Sequence, residues 1–227
     1  MVQLAKEFSD TCDLAIQSMV KDEELTLNAN KAHEKPKKIS AEGIKRIWQS
    51  VYLNKEIKSL LQDLSADFVE GKKSAVKGLL LFGPPGTGKS LIAKTMAETM
   101  DCEFISLKLH DLKGENIGSS GQNVKSLWNR ALSCEKAVIF IDECEGVFAT
   151  RGGRKSDQFS EEIVGSFLAE WEGFSKQDSV MVVGTTNKMS LIDEAILSRF
   201  SEQLEIPLPD STTRVNILSH ELRKLDY

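Results

Sequence analysis

Gly83-Pro84-Pro85-Gly86-Thr87-Gly88-Lys89-Ser90 brings glycines, a lysine and a hydroxyl together at the spacing G-x-x-x-x-G-K-[ST]. That combination suits phosphate chemistry. The glycines let the backbone turn so that successive N–H groups converge on phosphate oxygens, and a helix opening at the end of the turn directs its positive dipole end at them. The helical stretch Leu91 to Met100 follows in the right place. Residues Gly83 to Leu91 are expected to line the cradle, with Lys89 reaching the β and γ phosphates and Ser90 ligating Mg²⁺.

Two carboxylates, Asp142 and Glu143, end the apolar run 137–141. Asp142 fits outer-sphere coordination of Mg²⁺. Glu143 fits the polarisation of an attacking water, since phosphoryl transfer needs a positioned nucleophile and charge stabilisation more than covalent help from the protein. Asn187 follows the run 180–183 and Gly184-Thr185-Thr186. Its amide would hold the water or the γ phosphate, or serve only to form a turn. Arg199, in Leu197-Ser198-Arg199-Phe200, reads by itself as a surface arginine.

Such scattered residues need a frame that gathers them. Short apolar runs at 78–82, 103–107, 137–141, 180–183 and 203–206, separated by helix-length segments, predict a five-stranded parallel α/β sheet flanked by helices, each strand buried. Ligands in that architecture bind beyond the carboxyl ends of the strands, which is where most of the candidate residues fall, the carboxylates beside the first strand's loop. Ahead of the sheet, a helical pattern of Ile44, Ile47, Val51, Ile57, Leu60, Leu61 and Leu64 spans 41–69. A further amphipathic helix is predicted over 2–20, to dock on its own domain or to contact an adaptor, joined by a polar, lysine-rich linker. The domain reading is an N-terminal helix and linker over 1–40 and a nucleotide-binding domain over 41–210, with one more helix in 211–227.

The 227 residues, 41% hydrophobic and 28% charged, fit one main globular domain. A net charge of −5 argues against a broad basic face, so nucleic acid is not expected as a direct ligand. The cysteines Cys12, Cys102, Cys134 and Cys144 form no C-x-x-C pair, and reduced thiols in a cytoplasm fit them best. Lys6, Glu7 and Asp10 interrupt the apolar stretch of a secretory signal, and no run approaches the roughly 20 apolar residues of a membrane span. A soluble, cytoplasmic protein is expected. His33, His110 and His220 are isolated, so no metal beyond Mg²⁺ is expected.

In order along the chain, Gly83 to Ser90, Val138 to Glu143, Gly184 to Asn187 and Asp193 to Phe200 resemble the AAA+ ATPases, over about residues 45 to 220. The likeness is nearest to the AAA group that includes katanin- and spastin-like remodelling ATPases, whose pattern ends Leu-Pro-Asp as Leu208-Pro209-Asp210 does. The resemblance implies a P-loop NTPase fold, Mg²⁺-dependent hydrolysis of ATP, and a ring, usually hexameric, with ATP between neighbours. Hydrolysis then moves a bound macromolecule. Asn187 becomes the sensor of the γ phosphate and Arg199 an arginine finger supplied to the next subunit's nucleotide.

The chain departs from the family at four places. Where members place an aromatic residue, an aliphatic one and glycine on a pore loop, this chain has Asn116-Ile117-Gly118, flanked by Gly114, Ser119, Ser120 and Gly121, which suggest a mobile loop. Ile117 alone lacks the rigid ring surface that packs against a threaded peptide. Ser198 precedes Arg199 where close relatives have a second arginine, and Glu145 stands where an aspartate is usual. Arg151-Gly-Gly-Arg-Lys155 is expected to be solvated rather than to line a pore. The family continues past Leu-Pro-Asp into a helical lid, whereas this chain stops at Tyr227, so 211–227 reads as the start of a truncated lid and a mostly monomeric, weakly active chain is expected.

Two functions follow. The first is an oligomeric ATPase that remodels or disassembles a protein. The second is an ATP-controlled assembly switch or scaffold, acting on a DNA-bound partner, that threads nothing; the absent aromatic favours it.

Overall fold

The runs 78–82, 137–141 and 180–183 are apolar at nearly every position, a pattern that asks for cover on both faces. In the computed structural model of the chain, which describes residues 41–112, 119–149, 158–174 and 179–225, they are the three inner strands of a five-stranded parallel sheet. The strands are β1 (Gly78–Phe82), β2 (Glu103–Leu107), β3 (Ala137–Ile141), β4 (Val180–Thr186) and β5 (Glu202–Glu205), in the order β2-β3-β4-β1-β5. Every pairing is parallel. The described residues belong to the compact unit Lys38–Tyr227. The helix predicted over 2–20, its linker, Asn116-Ile117-Gly118 and the 151–155 loop lie outside the described residues.

The helices are α1 (Ala41–Ile47), α2 (Lys55–Val69), α3 (Lys89–Met100), α4 (Leu109–Leu112), α5 (Ser119–Ser133), α6 (Cys144–Val147), α7 (Gln158–Phe174), α8 (Glu194–Leu197) and α9 (Ser211–Leu225). Alternation along the inner strands sorts the core into two layers. Leu80, Ile139 and Val182 point to one face, where α5 and α7 supply Val124, Trp128, Phe167 and Trp171. Leu79, Leu81, Val138, Phe140 and Met181 point to the other, against Leu61 and Phe68 of α2 and Ile92 and Met96 of α3. Fully burying each such side chain contributes about 1.5–3 kcal/mol.

The expected helical span of 41–69 is broken in the middle. A 3-10 turn at Trp48–Ser50 and an extended stretch separate α1 from α2, and α2 opens on Asn54, whose side chain accepts the Glu56 N–H at 2.8 Å. The carbonyls freed at the break are taken by Lys58, whose ammonium donates to Trp48 O at 2.7 Å and Val51 O at 3.0 Å. Trp48 turns into the core and donates from Nε1 to Thr99 Oγ1 on α3 at 2.8 Å. Burial and a cap therefore win over an unbroken apolar period.

Three strands also depart from expectation. β4 runs three residues beyond 183, because Gly184, Thr185 and Thr186 pair with Leu80, Leu81 and Phe82 of β1. β2 and β5 are edge strands whose burial alternates, so not every strand is buried.

Candidate functional site

The loop after β1 is built on glycine. Gly83 lies at φ 139°, and a Cβ there would come within 2.4 Å of the Ile206 carbonyl oxygen. The loop is thus packed against β5's exit, with Ile206 N donating to Phe82 O at 2.7 Å. Gly86 and Gly88, at φ 76° and 86°, face open space, and Gly88 caps the start of α3. The N-terminus of a twelve-residue helix therefore opens onto an uncrowded cradle.

Lys89 is buried and folds back over this loop, donating to Gly83 O at 3.0 Å and Pro84 O at 2.7 Å. Burial pulls its ammonium below the ordinary lysine range, while the charges of Asp142 and Glu145 act in the opposite sense. Ser90 Oγ donates to Asp142 Oδ2 at 3.0 Å. The sequence suggested that the carboxylates stand beside the first strand's loop. In the sheet β4 lies between β3 and β1, and the hydroxyl of Ser90 spans that gap.

Asp142 is held from its other side as well, for Thr185 Oγ1 donates to Asp142 Oδ1 and accepts the Glu143 N–H at 3.4 Å. Glu143 adopts the left-handed conformation, φ 52° and ψ 55°, unusual outside glycine, and its side chain is exposed at the cleft. Glu145 accepts the Thr186 hydroxyl at 2.6 Å and the Asn187 N–H at 3.3 Å. Pro85, Gly86, Gly88 to Leu91, Asp142, Glu143 and Thr185 to Asn187 line one cleft of about 430 Å³ at the carboxyl edge of the sheet.

Most of the sequence-derived candidates thus meet in one cleft; Arg199 does not. Its carbonyl oxygen lies 2.4 Å from where a Cβ of Gly78 would be, at the opening residue of β1. A five-residue strand, about 13 Å long, separates it from the loop. Its guanidinium pairs with Glu172 Oε1 at 3.1 Å, and its buried Nε has no hydrogen-bond partner among the described residues.

Thr185, Thr186 and the use of Glu145 are not predicted by the sequence patterns. Their signal is the register of β3 against β4, in which Ile141 faces Gly184, so that Asp142 comes beside Thr185. A second cleft, about 250 Å³, is equally unannounced. Its walls come from Tyr52-Leu53-Asn54 and Pro207-Leu208-Pro209, and Gly86 lines both clefts.

The residues present fit a nucleoside triphosphate and a divalent cation: a buried ammonium and a helix N-terminus for phosphates, and a hydroxyl paired with a carboxylate for the ion. Sheet, loop and cleft define an α/β P-loop NTPase-like domain. The model of the ATPase family associated with various cellular activities matches residues 79–208, more than half of the chain, and the chain belongs to that AAA family. It is 37% identical over 176 residues to the ATP-dependent zinc metalloprotease FtsH of Lachnoclostridium phytofermentans, covering 73% of this chain and 30% of that protein. It is also 37% identical over 149 residues to the cell division cycle protein 48 homolog of Archaeoglobus fulgidus, covering 65% of this chain and 20% of that one. The chain therefore spans less than a third of the length of either relative. No helix among the described residues is long and apolar enough to cross a membrane.

Proposed function

We propose that the chain binds ATP in the carboxyl-edge cleft and hydrolyses it to ADP and phosphate. The observation that carries this is the Ser90–Asp142 hydrogen bond, which joins the phosphate loop to the strand-end carboxylates. Lys89 and the backbone N–H groups from Gly86 to Leu91 take the phosphates. Ser90, backed by Asp142, would hold Mg²⁺, which when bound neutralises charge on the phosphates. Glu143 accepts a proton from the attacking water and Asn187 contacts the γ phosphate. The adenine ring would occupy the second cleft, which shares Gly86 with the first. Replacing Glu143 by Gln tests the assignment: binding should survive and turnover stop.

Arg199 completes a neighbour's site, so the working form is a homo-oligomer, a hexameric ring when ATP is bound, which acts in the cytoplasm on a protein that it remodels or disassembles. AAA membership supports this, and the run Asp193 to Phe200 with Leu208-Pro209-Asp210 favours the katanin- and spastin-like group. The second reading, an ATP-controlled assembly switch or scaffold for a DNA-bound partner that threads no polypeptide, is favoured by Asn116 where an aromatic would stand. Ile117→Ala separates the two. Lost activity on the partner supports threading, and unchanged activity supports the switch.

A further inference from the structure

One carboxylate fastens the turn that carries Asn187. Glu145 uses its two oxygens separately, Oε2 for the Thr186 hydroxyl at 2.6 Å and Oε1 for the Asn187 N–H at 3.3 Å. The Thr186 hydroxyl in turn accepts the Lys188 N–H at 3.0 Å. Three consecutive residues at the end of β4 thus hang on a side chain that follows the end of β3. The same stretch of chain carries Asp142 and Glu143. A carboxylate makes such bonds stronger than a neutral acceptor would, and its fork gives them direction. Aspartate, shorter by one carbon–carbon bond or about 1.5 Å, would not span both donors from the same backbone position.

We infer that Glu145 is a positioning residue that sets the place of the Asn187 amide against the terminal phosphate of ATP. The inference rests on the ATPase reading above. Through this glutamate, contact with the γ phosphate is passed by way of the Thr186-Asn187 turn to the segment that bears the hydrolytic carboxylates. A merely structural glutamate would act on the fold and therefore on all nucleotides alike.

The test measures affinity of the full chain for ADP and for an imido-bridged ATP analogue, both with Mg²⁺, by calorimetry, and ATP turnover under the same conditions. In Glu145→Ala the ADP affinity should stay within about twofold, while the analogue weakens about tenfold, the worth of one charge-assisted hydrogen bond. Turnover should fall at least as far. Glu145→Gln, which keeps an acceptor for the Asn187 N–H, should recover most of the loss, and Glu145→Asp should recover less. Equal effects on ADP and the analogue, or unchanged turnover, overturn the inference alone. If Glu145→Ala does not fold, Glu145→Asp and Thr186→Val carry the same comparison. If the unmodified chain binds neither nucleotide, the ATPase reading falls and takes this inference with it.

Discussion

Ser90 and Asp142, 52 residues apart, share a hydrogen bond of 3.0 Å that ties the first turn of α3 to the end of β3. The bond crosses the strand between them, so the cleft depends on the sheet order as much as on either motif. Behind it, Thr185 holds the second oxygen of Asp142.

Thr185→Val keeps the shape of that side chain and removes its hydroxyl. The Glu143 N–H loses its acceptor and Asp142 loses a donor, so the folded state should weaken by about 1–3 kcal/mol. With Asp142 less fixed, half-maximal turnover should need several-fold more Mg²⁺. Chemical denaturation and a Mg²⁺ titration of turnover check the two parts.

Glu143→Gln preserves size and the left-handed backbone but offers no base. Nucleotide affinity should stay within about twofold while hydrolysis drops by about 10²–10⁴. Fluorescent-nucleotide binding beside phosphate release decides it, and normal release would remove Glu143 from the reaction.

Gly83 and Gly86 should respond differently to alanine although both have positive φ. At Gly83 the new Cβ meets the Ile206 carbonyl at 2.4 Å, whereas at Gly86 nothing lies within 4 Å. Gly86→Ala should therefore cost only the backbone term, about 1–2 kcal/mol, and Gly83→Ala distinctly more. Urea midpoints of the two variants rank them.

Much of this was legible in sequence because it is local. The loop from Gly83 to Ser90, the carboxylates after Ile141 and the apolar runs need no knowledge of distant partners, and β1 and β3 fall where the runs predict. What escaped depends on adjacency between remote segments. Thr185 gains its role only because β4 lies against β3, and the second cleft only because Tyr52 and Pro207 meet. The break before Asn54 is set by Trp48 reaching Thr99 and by Lys58 capping two carbonyls, neither of which leaves a mark in hydrophobic periodicity.

Mixed subunits test Arg199. Neither Arg199→Ala nor Glu143→Gln alone should hydrolyse ATP well, yet a mixture of the two should regain turnover, since some sites pair an intact Glu143 with a neighbour's intact Arg199. Folding stability of Arg199→Ala should change by about 1 kcal/mol or less from its partly exposed ion pair with Glu172. A mixture no better than its parts would contradict the shared site.

Cysteine reactivity should follow burial. Burial pushes the Cys102 thiol up to about 12 and raises Cys144, which is fully buried; Cys134, also raised by its partial burial, is the most exposed of the three. Alkylation by iodoacetamide at pH 8, read by mass spectrometry, should label Cys134 well before Cys102 or Cys144.

Arg199 and the phosphate loop lie at opposite ends of β1. Any contact that brings one chain's arginine to another's loop joins unlike faces, as a key meets a lock. Repeated contacts of that kind have a direction, and they close only by going round. Were the assembly built on such head-to-tail contacts, its polarity would follow from the length of a single strand.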